Sequence, residues 1–179
     1  MGGAFSSLRP VVLAEVVYPE FGLFYRTNKK SGSNRVRLPE EISRRSLNYM
    51  SINENASLLE EIYPRFDRQV KSEVDLAKVF LEPHMCNFTS LKECDLLATL
   101  TLLSKVPVFS RSVQAAAETV RMRVKEWAHC NPGDWDQAKF QQSFREMKQL
   151  VGVLPPEVRS KLLGNLEFWE NICKCQNVL

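Results

Sequence analysis

The residues with the most specific chemistry stand at the start of the sequence. Met1, Gly2 and Ser6 in MGGAFSS satisfy the pattern M-G-x-x-x-[ST], which is read once the initiator Met has been removed. Transfer of myristate to the Gly2 α-amine requires an unbranched, uncharged terminal residue and an extended tail that threads into a narrow transferase pocket. Gly3, Ala4 and Phe5 put no charge in that tail, and Ser6 supplies the hydroxyl at the favoured position. The competing reading is a disordered start that merely tolerates small residues. A single myristoyl chain binds a bilayer with an association constant of only about 10⁴ M⁻¹, so stable anchoring needs a second contribution. Basic side chains beside an anionic leaflet add roughly 1 kcal/mol each. Arg26, Lys29, Lys30, Arg35 and Arg37 follow in the same N-terminal segment and are the expected membrane-binding residues. Their competing reading is a solvated loop that keeps an exposed strand edge from pairing with other chains.

Other chemistry is sparse. His84 and Cys86, with Cys94 a little further on, and His129 beside Cys130, supply ligand types for a tetrahedral zinc site, but no C-x₂-C spacing accompanies them. They read as ordinary core and loop positions, and no metal or cofactor is expected. Neither histidine lies in an elbow or triad pattern, and no phosphate-cradling glycine loop is present. Paired carboxylates such as Glu60 with Glu61, or Asp134 with Asp136, read as helix-terminus charges and solvated faces. No catalytic residue is assigned, and an enzyme is not expected. Cys173 fits an apolar stripe; Cys175 is not the fourth residue from the end, so the tail CKCQNVL is no prenylation box. Arg111, Arg121, Arg123 and Lys125 could contact nucleic acid, but Glu118 and Glu126 lie close to them in helical register. That pattern is a mixed solvent surface, and nucleic acid is not an expected partner.

Charge distribution agrees. The 179 residues carry a formal charge of +3, too little to demand a polyanionic partner. The first 50 residues hold eight basic against four acidic side chains, so the positive excess lies towards the N-terminus. Five cysteines without framework spacing, and no secretory apolar segment, point to a reducing cytosolic site of synthesis. The sequon at Asn87 is then a chance occurrence. No apolar run approaches the ~18 residues of a membrane span.

The elements that must position these residues are mostly helical. Residues 1–10 read as a flexible arm. Residues 11–39 are the strand-like region: Phe21, Leu23 and Tyr25 alternate with Gly22, Phe24 and Arg26, Val36 and Leu38 alternate with Arg35 and Arg37, and NKKSGSN reads as the turn of a β-hairpin. From residue 40 onwards the period is helical. Leu59, Ile62, Phe66, Val70 and Val74 form one stripe, and LLATLTLL within 90–104 should be the central buried helix. Further stripes run through Val113, Ala117, Val120, Val124 and Trp127, through Phe140, Phe144, Met147 and Val151, and through Val158, Leu162, Leu166, Trp169 and Cys173. Trp127 and Trp169 therefore read as core, and Trp135 as an apolar contact at a helix start. The expected fold is mainly α: a multi-helix bundle of about six helices over 40–179, preceded by a short N-terminal β-hairpin, one globular domain overall.

An acylation signature, nearby basic residues and a helical body together resemble the matrix class of viral structural proteins, and equally acylated cytosolic adaptors. The resemblance implies a peripheral scaffold at the cytosolic leaflet that contacts an anionic membrane surface and binds itself or a protein partner. The strand-like region departs from the all-helical retroviral type of matrix domain. The rival expectation is a soluble helical module that holds a partner's amphipathic helix in a groove.

Overall fold

The computed structural model of the chain describes residues 1–29, 47–52, 70–130 and 135–175. Where an arm and a hairpin are expected, the N-terminal segment is helical. α1 spans Gly2–Val12, a π-helical turn covers Leu13–Val17, and α2 spans Tyr18–Asn28. No β-strand occurs among the described residues, so the hairpin expectation is corrected over 11–29; the rest of that segment lies outside the described residues.

The buried positions explain the misreading. Phe5, Leu8, Val12, Val17, Phe21 and Phe24 are all buried. They follow one another at steps of three, four, five, four and three. The five-residue step is the π turn, whose extra residue shifts the stripe out of the 3.6-residue phase. The wide turn lies between Pro10 and Pro19, neither of which can donate to the carbonyl four residues back. Leu23 is 52% exposed while its neighbours Phe21 and Phe24 are buried, which is helical and not alternating burial. The flexible-arm expectation fails for a related reason. Ala4, Phe5, Leu8 and Val11 present a continuous apolar face, and its packing outweighs the weak helix propensity of two glycines.

The chain falls into two compact units, Met1–Val17 with Asp95–Leu179, and Tyr18–Cys94, a division that the expectation of one globular domain does not anticipate. In the first unit, α4 (Leu96–Lys105), α5 (Arg111–His129), α6 (Gln137–Val153) and α7 (Pro156–Cys175) join α1. Neighbours close a ring: α1 packs on α7 and α4, α4 on α5, α5 on α6, and α6 on α7. α4 is the core helix, with every residue from Ala98 to Leu103 buried. Its two fully buried threonines are satisfied internally, Thr99 Oγ1 donating to Asp95 O at 2.6 Å and Thr101 Oγ1 to Leu97 O at 2.7 Å. The helix starts are written in the sequence. Asp95 accepts from Ala98 N, Ser110 from Val113 N and Asp136 from Lys139 N, while Pro156 opens α7.

In the second unit, α2 packs on α3 (Glu73–Phe80). α3 begins with a capping box, in which Ser72 Oγ accepts from Asp75 N and Asp75 Oδ2 accepts from Ser72 N, both at 3.0 Å. Tyr25 Oη donates to Lys71 O at 2.9 Å. Asn48 secures the far end of α3, its N–H donating to Val79 O at 2.7 Å and its side chain to Leu81 O at 2.9 Å. No helix among the described residues is long and apolar enough to cross a membrane.

Candidate functional site

The acylation signature forms the first turn of α1, at an end of the first unit where all three tryptophans contribute. Gly2 is half-buried, and a Cβ added to it would lie 3.8 Å from Trp127 Nε1, an ordinary contact. Gly3 is different. A Cβ there would stand 2.5, 2.7 and 2.8 Å from Cη2, Cζ3 and Cζ2 of Trp169, closer than real side chains approach. Only glycine lets the α1 backbone lie against that indole. Ala4 and Phe5 then point inward, at 1% and 2% exposure, and Ser6 faces solvent. Phe5 N donates to Met1 O at 3.1 Å, which starts the helical hydrogen-bond ladder.

Two aromatic pairs lie beside these glycines. Trp127 meets Trp135 edge-on, with ring centroids 4.8 Å apart, and Phe168 meets Trp169 in the same way at 5.7 Å. Trp135 is buried immediately before the α6 cap, as expected of a contact at a helix start, and its indole N–H has no hydrogen-bond partner. Phe168 is 59% exposed. The stripe reading of Trp127 and Trp169 as core is thus only half right. Both are half-buried, and both face the N-terminal glycines.

Of the expected membrane-binding cations, Arg26 and Lys29 are exposed. They occupy the last turn of α2 and the residue following it, where positive charge complements the helix dipole, and not the tip of a hairpin. Lys29 Nζ lies 5.7 Å from the centroid of the Tyr25 ring. Lys30, Arg35 and Arg37 lie outside the described residues. Arg26 and Lys29 belong to the second compact unit and Gly2 to the first.

The remaining chemical candidates are accounted for locally. Among the described residues no group of three or more His, Cys, Asp or Glu side chains is placed to hold a metal ion. His84 and Cys86 lie in the second unit, with Cys94, and His129 and Cys130 in the first. Cys86 Sγ donates to Glu82 O at 3.3 Å, and Asn48 Nδ2 approaches the sulfur at 3.7 Å. Burial pushes the Cys86 thiol up, a shift that the Ser51 and Asn48 hydrogen bonds and the Lys78 charge only partly oppose, so the protonated form is favoured. Cys130 Sγ donates to Trp127 O at 3.2 Å. Two of the cations considered for nucleic acid, Arg121 and Arg123, are engaged with carboxylates. Arg121 makes a bidentate pair with Glu118 at 2.7 and 2.6 Å. Arg123 makes one with Glu146 across the α5–α6 seam at 3.0 and 2.9 Å, and also reaches Glu126.

Sequence reasoning missed the pairing of Gly3 with Trp169. The only signals are a second glycine directly after Gly2 and a tryptophan in the last apolar stripe, and nothing in their spacing joins them. No family model, curated protein or solved structure matches the chain.

Proposed function

We propose that this chain is a non-enzymatic helical scaffold, matrix-like or adaptor-like, that a myristoyl group on Gly2 brings to the cytosolic leaflet, where it binds itself or a protein partner. The observation that carries the reading is the acylation pattern of Met1, Gly2 and Ser6, with Gly2 at the outermost position of α1. The acyl chain would leave the body beside Trp127, Trp169 and the exposed ring of Phe168. Arg26 and Lys29, with Lys30, Arg35 and Arg37, supply the electrostatic second signal that one fatty chain requires. Helix over residues 2–28 supports an all-helical body across that part of the segment read as strand-like.

A second reading is favoured by a specific observation. The contact of Gly3 with Trp169 and the burial of Ala4 and Phe5 explain the small N-terminal residues without any lipid. On that reading the chain is a soluble helical interaction module whose N-terminus serves only the fold. Intact-mass measurement of protein made in eukaryotic cells separates the two. Loss of Met1 together with a myristoyl adduct, and loss of membrane flotation in Gly2→Ala, are the outcomes expected for the scaffold. An unmodified mass leaves the soluble module, and Gly2→Ala that floats with membranes as well as wild type ends the acylated-scaffold reading.

A further inference from the structure

We infer that Gly2 can be acylated only before α1 docks, and that the topology of the chain holds this interval open during synthesis. The inference rests on the acylation reading above and adds its timing. Acylation takes two steps: hydrolysis of the Met1–Gly2 peptide bond frees the Gly2 α-amine, and that amine then attacks the carbonyl of a myristoyl thioester. The new amide forms as the C–S bond breaks, and the departing thiol carries off the proton that the amine gives up.

The acceptor tail must be extended through Ser6, and the folded chain does not offer it in that form. Gly2–Val12 is helical, with the ~1.5 Å rise per residue of a helix in place of the ~3.3–3.6 Å of an extended strand. Drawing the tail out would lift Gly3 from beneath Trp169 and bring Ala4 and Phe5 into water, both of which are almost wholly buried. The transferase therefore sees only the small fraction of molecules in which α1 is released.

The partner of α1 makes that constraint a temporal one. α1 packs chiefly on α7, Pro156–Cys175, which is synthesised long after α1. Until α7 emerges, Gly3 has no indole to lie against, and Lys161 is not yet present to pair with Glu15 in the π turn (2.7 Å in the folded chain). At about 5–20 residues per second, the N-terminus remains undocked for roughly ten seconds or longer. Folding then closes the site, so the acylated fraction is set at synthesis.

The test compares three acceptors incubated with an N-myristoyltransferase and myristoyl-CoA, with intact mass as the readout: a peptide of residues 2–12, the folded full chain produced in bacteria with Met1 removed, and the same chain carrying Trp169→Ala. The peptide should be acylated readily and the folded chain roughly 100-fold or more slowly, as expected when only the open fraction reacts. Trp169→Ala should recover much of the peptide's rate, whether it loosens α1 alone or unfolds the unit. Acylation of the folded wild-type chain at the peptide's rate overturns the inference. A peptide that is not acylated at all removes the Gly2 reading, and the timing inference with it.

Discussion

Two helix contacts in the same unit are built on opposite principles. Where α1 meets α7, a glycine lies against an indole, its chain neighbours Ala4, Phe5 and Leu8 are buried, and apolar shape dominates the fit. Where α5 meets α6, Arg123 grips Glu146 through two hydrogen bonds, Gln142 Nε2 donates to the same carboxylate at 2.8 Å, and Lys139 Nζ lies 3.6 Å from Glu126. The first contact should be intolerant of added or removed volume and indifferent to pH. The second should accept changes of volume and answer to protonation.

Four measurements sharpen or break that contrast. The largest effect is expected for Phe5→Ala, which empties a buried ring site in α1 and should cost roughly 3–5 kcal/mol in denaturant unfolding. A loss below about 1 kcal/mol would mean that α1 is not part of the core. Gly3→Ala comes next. The added methyl collides with Trp169, and the strain should cost about 1–3 kcal/mol even though alanine is the better helix former.

Glu146→Gln probes the polar seam and should cost about 1.5–3 kcal/mol, the range for hydrogen bonds to a charged group. Burial of Glu146 pushes its carboxyl up, but the hydrogen bonds from Arg123 and Gln142 and the charges of Arg123 and Arg145 outweigh it and hold the pKa below the ordinary glutamate value. Its contribution is therefore fully present above the unfolded pKa of about 4.3 and is lost as the pH falls through the lower folded value. Wild type should lose more stability than Glu146→Gln on acidification, whereas Gly3→Ala should track wild type at every pH. Gly2→Ala should have the smallest effect, within about 0.5 kcal/mol, because its methyl meets Trp127 at ordinary contact distance. That variant removes the proposed acylation site from an intact fold, which is what makes its flotation result interpretable.

The two contacts also differ in how legible they are in the sequence. Residues 113–124, 144–151 and 158–166 show their buried stripes directly, because an uninterrupted helix keeps a constant phase between neighbouring side chains. The caps Asp95, Ser110 and Asp136 are legible for the same local reason, each satisfying an N–H three residues ahead. The stretch from Val11 to Asn28 is not legible. One extra residue in the π turn rotates everything after it, and Pro19 and Gly22 then imitate the punctuation of a hairpin. The site divides in the same way. Gly2 and Ser6 are recognisable because the acylation pattern is a linear string of neighbouring residues. Gly3 and Trp169 stand at opposite ends of the chain, and no local pattern links them.

What this amino-acid sequence determined by itself is the helical character of the body, most of its helix starts, and a linear acylation pattern, since each depends on residues within a turn or two of one another. Only the tertiary structure decided that the N-terminal residues form a packed helix and not an arm, and that Gly3 lies against the indole of Trp169 in α7. Those outcomes depend on which apolar faces meet across the length of the chain, and burial energy depends on the surface that is met, wherever in the sequence it comes from.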